Sequence, residues 1–146
     1  MKRIKNEQAF TLIEMLFVLF IVMCLTGIVT KMSMKVSEAK EIERFFTQLQ
    51  LDIHFTQMTS IEKKEYFFIR FNGQTKSYSI KDYSNKNIFE RTFPKNVDFL
   101  SSVSTLITIL YNEKGHVSKA GTLYFKTPYG IKKVVITLGV GRVRVE

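Results

Sequence analysis

The sequence predicts an α+β protein, in which one long N-terminal helix packs on a C-terminal antiparallel β domain. Three observations predict this class: an apolar run near the N-terminus, an amphipathic helical pattern that continues it, and short alternating segments separated by turns in the second half. The length of 146 residues is typical of one domain. A hydrophobic content of 45% excludes an intrinsically disordered chain, because such chains have too little apolar surface to fold.

The first element is an apolar segment of membrane length behind a short basic leader. Residues 1–9 carry three basic side chains, and the next twenty residues, 10–29, hold a single charged one, Glu14. Twenty residues of helix span about 30 Å, which is the thickness of the hydrocarbon core of a membrane. We therefore assign residues 1–9 to a leader and residues 10–30 to the transmembrane half of the helix.

Three kinds of membrane-targeting segment resemble this pattern to different degrees. A cleaved secretory signal has a shorter apolar region and a small-x-small cleavage site, which residues 30–33 do not provide. A lipoprotein signal ending at Cys24 is disfavoured because the bulky Met23 precedes the cysteine. A retained anchor is therefore the favoured interpretation, with Cys24 as an apolar residue of the span. A single cysteine also excludes a disulfide within the chain.

The second element is an amphipathic continuation of the same helix, over residues 31–61. Apolar residues recur there at steps of three and four, as on one face of a helix, and no proline or glycine occurs between residues 28 and 72. We expect one helix from about Phe10 to about Ser60, with His54 exposed to solvent. The predicted inward stripe comprises Val36, Ala39, Ile42, Phe45, Phe46, Leu49, Ile53 and then Met58 or Ile61.

The third element is an antiparallel β domain over residues 62–146. Strand-like segments alternate with turn residues such as Asn72-Gly73, a strong hairpin signal. Short turns between short strands favour antiparallel pairing, and we expect six or seven strands. The predicted strands lie at 66–71, 76–81, 88–93, 106–110, 122–126, 131–138 and 142–145.

The sequence predicts neither an enzyme nor a cofactor or metal site. His54 and His116 stand far apart and outside any nucleophile motif, and no carboxylate pair has the spacing of an acid and a base. Gly139-x-Gly141 precedes a strand rather than a helix, so it is not a phosphate-binding loop.

The residues Ala9-Phe10-Thr11-Leu12-Ile13-Glu14-Met15-Leu16 closely resemble the N-terminal motif of type IV pilins and of the pilin-like proteins of type II secretion systems. This resemblance implies that a prepilin peptidase cleaves the basic leader between Ala9 and Phe10 and that the new N-terminus at Phe10 is N-methylated. The family usually has glycine where this chain has Ala9. The resemblance also implies an N-terminus in the cytoplasm and a β domain outside the membrane.

Glu14 has a physical reason to act in assembly. A carboxylate within a membrane span costs roughly 3 kcal/mol at the centre of the bilayer, so it is functional by default. Cleavage before Phe10 would create an α-amine, and the amine of a neighbouring subunit would neutralise Glu14 in a medium of low dielectric constant. A subunit out of register would leave a buried charge unpaired. We therefore expect Glu14 to direct assembly.

The C-terminal half resembles the H-type minor pseudopilins, and within them the competence minor pilins of Gram-positive bacteria. The residues that carry this likeness are 112–116 and 136–145. It implies a subunit of the competence type IV pilus, needed for pilus assembly and hence for DNA uptake in transformation. The implied partners are the major and other minor pilins, the prepilin peptidase and an assembly platform protein that works with a separate ATPase. Two alternatives remain: an H-type pseudopilin of a type II secretion system, and a signal-anchored extracellular binding domain.

The net charge of +9 raises the question of contact with DNA or another polyanion. The candidates are Lys132, Lys133, Arg142 and Arg144, of which the two arginines alternate with valines and so share one strand face. Such a face attracts phosphate without sequence preference. Charged side chains at a sheet edge also prevent aggregation. We favour an indirect relation to DNA over direct contact.

Overall fold

The computed structural model describes residues 12–139 and 141–146. Within these residues the chain forms one helix, α1 (Leu12–Lys63), followed by eight strands. The strands are β1 Phe67–Asn72, β2 Ser77–Asp82, β3 Asn87–Thr92, β4 Asp98–Phe99, β5 Thr108–Tyr111, β6 Gly121–Thr127, β7 Gly130–Ile136 and β8 Val143–Val145. The long helix followed by antiparallel strands confirms the predicted α+β class.

The chain divides into two compact units, with the boundary between Ala39 and Lys40. The second unit, Lys40–Glu146, is called the folded domain below. It contains the later part of α1 and all of the described strands. The sequence predicts a helix end near residue 61, and the structure ends α1 two residues later, at Lys63.

The helix ends in a tight cap built around a lysine. The amide of Glu65 donates to the carbonyl oxygen of Ser60 at 3.3 Å, and Lys64 between them has a φ of 52°. Many helices end in this way, with a backbone hydrogen bond from an amide to the carbonyl oxygen five residues earlier. The residue just before that amide then has a left-handed backbone conformation and is usually glycine. A lysine there carries conformational strain.

The strands form two four-stranded antiparallel sheets rather than one continuous sheet. The first has the order β3-β2-β1-β5 and the second the order β4-β6-β7-β8. Val117 bridges them, since it pairs with Tyr111 of the first sheet and with Gly139 beyond β7. The turn predicted at Asn72 is confirmed: the Asn72 side-chain oxygen accepts from the amides of Gln74 and Thr75 at 2.9 and 3.3 Å.

The core lies between α1 and the inner faces of both sheets. Five predicted stripe residues of the helix are buried there, Ile42, Phe45, Phe46, Leu49 and Ile53. Aromatic rings from the two sheets and the helix meet edge to face, for example Phe46 and Phe125 with centroids 5.5 Å apart.

The prediction was wrong at both ends of the stripe. Val36 and Ala39 are exposed, and so are Met58 and Ile61. Beyond Ile53 the buried side of the helix is polar instead, and its groups are satisfied internally: Thr56 donates to the Asp52 carbonyl oxygen at 2.7 Å and Ser60 to that of Gln57 at 2.7 Å. The Gln57 amide donates to the carbonyl oxygen of Gly115 at 2.8 Å, which fixes the turn after β5 on the helix.

Two smaller expectations have clear outcomes. His54 is exposed on α1, as predicted. The two-residue strand β4 was missed, because two residues show no alternation that a pattern search could detect.

Candidate membrane anchor and assembly site

The apolar part of α1 is not buried within the described chain. Among residues 12–139 and 141–146, the length and composition of this helix are sufficient for it to cross a membrane. The most apolar stretch of the helix is not buried anywhere in the described protein. Its large side chains are exposed, Leu12 at 80% and Ile13 at 73%. Apolar surface of this extent is stable only when lipid or neighbouring helices cover it.

The polar groups in this segment are few, and one of them is satisfied within the helix. The Thr26 hydroxyl donates to the carbonyl oxygens of Val22 and Met23, at 2.8 and 2.9 Å. Such a bond removes most of the cost of placing a hydroxyl in lipid. Cys24 is a free and exposed thiol on the same segment.

Glu14 lies in the first turn of α1 as described, and it is exposed among exposed apolar side chains. The leader at residues 1–9, the predicted cleavage site between Ala9 and Phe10, and Phe10 itself lie outside the described residues.

Three of the four predicted polyanion contacts share one surface, the outer face of the second sheet. Val135 pairs with Arg144, and the backbones of Lys133 and Thr137 bond to those of Glu146 and Arg142. Directly paired residues of antiparallel strands point to the same face. Lys133, Arg142 and Arg144 therefore project together, away from the core, and the acidic Glu146 projects beside Lys133. The Lys133 ammonium also lies over the Tyr124 ring, 6.0 Å from its centroid.

Lys132 does not join them. It pairs with Phe125, whose ring is fully buried, and it alternates with Val134 and Ile136, which belong to the core. Lys132 therefore belongs to the inner side of β7, exposed only because it lies near the end of the strand. Lys132 and Lys133 point to opposite faces of β7, because two consecutive strand residues cannot share a face.

A buried cluster of hydrogen-bonded side chains around Asp52 connects the helix to the first sheet. Asp52 is 4% exposed and accepts three side-chain hydrogen bonds, from Tyr78 at 2.5 Å, Arg91 at 2.7 Å and Gln48 at 2.8 Å. Tyr78 belongs to β2 and Arg91 to β3, so one carboxylate joins two strands to α1. The sequence reasoning missed this residue, although an acidic residue between Leu49 and Ile53 on the inward stripe was a usable signal.

Another buried group has no partner. Within the described residues, the Tyr111 hydroxyl is the buried side-chain polar atom without a hydrogen bond, and burial raises the pKa of Tyr111 to about 12. The ring packs under Gly141, whose φ is +61°. A side chain at that position would approach the Tyr111 ring to 3.0 Å, so the glycine is needed.

The N-terminal segment and the fold match known proteins. The prokaryotic N-terminal methylation motif matches residues 4–30. The type IV minor pilin FimU of Pseudomonas aeruginosa superposes with a TM-score of 0.59 at 13% identity, over 75% of this chain and 91% of that one. The chain therefore carries this motif and has a pilin-like fold.

Two further likenesses agree with this assignment. The minor pseudopilin EpsH from the type 2 secretion system of Vibrio cholerae superposes on this pilin-like chain with a TM-score of 0.56 at 12% identity, over 73% of this chain and 96% of that one. The competence protein ComGD of Bacillus subtilis (strain 168) is 26% identical over 144 residues, which is 99% of this chain and 96% of that protein. The apolar helix therefore anchors a pilin-like chain in a membrane.

Proposed function

We propose that this pilin-like chain is a minor subunit of a competence type IV pilus, needed to assemble the pilus through which DNA is taken up. The observation that carries the proposal is the likeness to a competence protein over nearly the whole length of both chains, together with the methylation motif at residues 4–30. The similarity to EpsH concerns the fold alone, so it favours a secretion pseudopilin less strongly.

In this function the chain matures by processing at its N-terminus. A prepilin peptidase removes residues 1–9 by cleavage between Ala9 and Phe10, and Phe10 is then N-methylated. The apolar segment over residues 10–30 holds the precursor in the membrane until it joins the other subunits. The exposed apolar surface of this segment supports the proposal, because neighbouring pilin helices can replace lipid around it.

Glu14 sets the register of assembly. It is a single acidic residue in an exposed apolar stretch, and the α-amine at Phe10 of an adjacent subunit is the cation that would neutralise it. A subunit placed out of step would bury this carboxylate without a partner, which is strongly unfavourable.

The subunit works by assembly rather than by catalysis. Its partners are the major pilin, other minor pilins, the prepilin peptidase and a platform protein, and a separate ATPase provides the energy. The N-terminus of the precursor faces the cytoplasm and the folded domain faces outward, so that the assembled subunit reaches the cell surface.

Direct contact with DNA or another polyanion is a second and weaker proposal. Lys133, Arg142 and Arg144 form the surface, and Lys132 is excluded from it by its position on β7. Replacing all three by glutamine should leave pilus assembly intact and reduce DNA capture by the pilus, with a weaker dependence of capture on salt. Unchanged DNA capture would contradict direct contact through this face.

The experiment that tests the main proposal is the mass of the N-terminal peptide of the chain recovered from membranes of competent cells. A peptide that begins at N-methylated Phe10, absent in a strain without prepilin peptidase, is the expected result. A peptide that begins at Met1 in both strains would contradict the proposal and favour a simple anchored binding domain. Loss of transformation rather than of secretion, when the gene is deleted, distinguishes the competence pilus from a secretion machine.

A further inference from the structure

The folded domain has two poles, which its contacts with α1 define. At one pole Phe93 and Phe125 meet Phe45, with ring centroids 5.6 and 6.1 Å away. At the other pole Gln57 and Ile61 of the helix meet the turn at Gly115. Because Phe45 lies close to Lys40, where the domain begins, we call the first end the proximal pole and the second end the distal pole.

Three connections lie at the proximal pole. The β6–β7 turn, residues 128–129, follows Phe125 by about 10 Å of extended strand. The loop before β4 contains Phe93, whose amide donates to the carbonyl oxygen of Lys76 at 2.7 Å and so ties it to the β1–β2 loop. The chain that comes from the apolar segment enters the domain at this same pole.

The proximal pole is strongly basic. Two acidic residues accompany its loops and the adjoining ends of β6 and β7. Asp98 forms an ion pair of 2.6 Å with Lys76, and Glu146 lies opposite Lys133, to which its backbone is hydrogen-bonded. The cations at this pole are Lys76, Lys95, Lys126, Lys132 and Lys133. The positive charge therefore exceeds the negative charge even after this pair is formed.

The distal pole is close to balanced in charge. It consists of the end of α1, the β2–β3 loop and the turn after β5, where Tyr66 and Tyr83 lie 6.1 Å apart by ring centroids. Four acidic residues, Glu62, Glu65, Asp82 and Glu113, offset most of its five cations, Lys63, Lys64, Lys81, Lys86 and Lys114. The excess of positive charge is thus larger at the proximal pole than at the distal pole.

The proximal hairpin also presents apolar side chains beside its lysines. Tyr129 in the β6–β7 turn and Ile131 at the start of β7 are each 59% exposed. Lys126 pairs with Ile131 across the two strands, so a cation and an apolar side chain lie side by side. Aromatic side chains and lysines are both enriched at membrane interfaces, where the rings lie among the headgroups and the ammonium groups bind phosphates.

The length of the chain limits how far Lys40 can lie from the predicted span. Ten residues separate Thr30, the end of the predicted span, from Lys40. They reach about 15 Å as a helix and no more than about 35 Å when extended. We propose that, before the subunit joins a filament, the proximal pole docks on an anionic lipid surface, with Tyr129 and Ile131 among the headgroups and Lys126, Lys132 and Lys133 on lipid phosphates. The proposal rests on the membrane anchor but not on the identity of the pilus.

The absence of tryptophan from the sequence makes a direct test simple. Full-length Tyr129→Trp, the proximal probe, is reconstituted into vesicles that contain brominated phospholipids, either zwitterionic only or with about one third phosphatidylglycerol. Tyr83→Trp, on an exposed tyrosine of the distal pole, is the matched control and the distal probe. Flotation with the vesicles and an unchanged melting temperature establish that each variant is inserted and folded.

The expected result is tryptophan quenching that is at least about threefold stronger for the proximal probe than for the distal probe. The difference should require the anionic lipid and should fall as 1 M salt shortens the screening length to about 3 Å. K126Q/K132Q/K133Q should abolish the difference, whereas the equal charge change K64Q/K86Q/K114Q at the distal pole should preserve it.

Equal quenching of the two probes in a chain that floats would overturn the lipid proposal and leave the pilin assignment intact. A proximal-probe signal that ignores lipid but responds to a short DNA duplex would overturn it in favour of a nucleic-acid surface. Failure to float would contradict the anchor itself, and both proposals with it.

Discussion

The hydroxyl of Tyr78 on β2 donates a hydrogen bond of 2.5 Å to Asp52 Oδ2 on α1, inside the folded domain. Burial raises the pKa of Tyr78, and the hydrogen bond to the Asp52 carboxylate raises it further, so the phenol stays protonated and remains a donor. Because Arg91 of β3 donates to the same oxygen, this contact fixes the position of the helix on the first sheet.

Tyr78→Phe should destabilise the folded domain by about 2 kcal/mol, because hydrogen bonds to charged groups contribute about 1.5–3 kcal/mol. The ring remains in place, and Asp52 keeps its bonds from Arg91 and Gln48. Urea denaturation followed by circular dichroism measures the change. Tyr83→Phe, at an exposed distal site, is the control and should change stability by less than about 0.5 kcal/mol. Equal effects of the two variants would mean that the Asp52 contact contributes nothing.

Tyr111→Phe should change the stability of the folded domain in the opposite direction to Tyr78→Phe at neutral pH. Its buried hydroxyl has no partner among the described residues, and an unpaired buried polar group costs about 1–3 kcal/mol. Removal of the hydroxyl should therefore stabilise the domain by about 1 kcal/mol, as measured by the urea midpoint. A destabilised variant would indicate a bound water or another partner for the hydroxyl.

The same tyrosines make stability depend on pH in the alkaline range. The folded pKa of Tyr111 is raised to about 12, whereas the phenol of an unfolded chain titrates near about 10. The unfolded state thus loses its proton first, so stability is complete below pH of about 10 and falls as the pH rises toward 12, by up to about 1.4 kcal/mol per unit for each tyrosine. Tyr111→Phe should reduce this slope, and Tyr83→Phe should not. An equal dependence of stability on pH in the unaltered chain and in both variants would show that Tyr111 does not cause it.

Lys64→Gly should stabilise the helix cap by about 1 kcal/mol. Lys64 has a φ of 52°, a conformation that costs a residue with a side chain roughly 1–2 kcal/mol and costs glycine little. The neighbouring Lys63 is helical, so Lys63→Gly removes the same charge but should destabilise the domain by about 1 kcal/mol. Thermal unfolding of the pair gives the comparison, and a loss of stability in both would show that the left-handed conformation is not strained.

The sequence contained enough information for the helix and most strands, because burial there follows simple periods. Ile42, Phe45 and Leu49 lie three and four residues apart, and they are buried as that spacing predicts. The predicted apolar stripe is wrong after Ile53, because the buried residues there, Thr56 and Gln57, are polar and hydrogen-bonded. Apolar periodicity does not detect such residues.

The arrangement of the strands was beyond the sequence for a different reason. Which strands pair depends on contacts between distant residues, such as Val117 with Gly139, and on the Asp52 cluster, whose hydrogen bonds join residues up to 39 positions apart. The basic patch was predicted from charge and from the alternation of Arg142 and Arg144 with valines. That Lys132 and Lys133 point to opposite faces of the sheet follows from the pairing register of β7, which only the structure gives.

Glu14→Val should separate membrane insertion from pilus assembly. Removal of the charge lowers the cost of insertion, so the amount of chain in membranes should be unchanged or higher. Incorporation into sheared pili should fall at least about tenfold, because the amine at Phe10 of a neighbour would lose its partner and an unpaired buried charge costs about 3–5 kcal/mol. Leu16→Val, a neutral change in the same exposed apolar stretch, is the control and should assemble like the unaltered chain. Immunoblots of pilus and membrane fractions measure both quantities, and normal incorporation of Glu14→Val would remove Glu14 from the assembly mechanism.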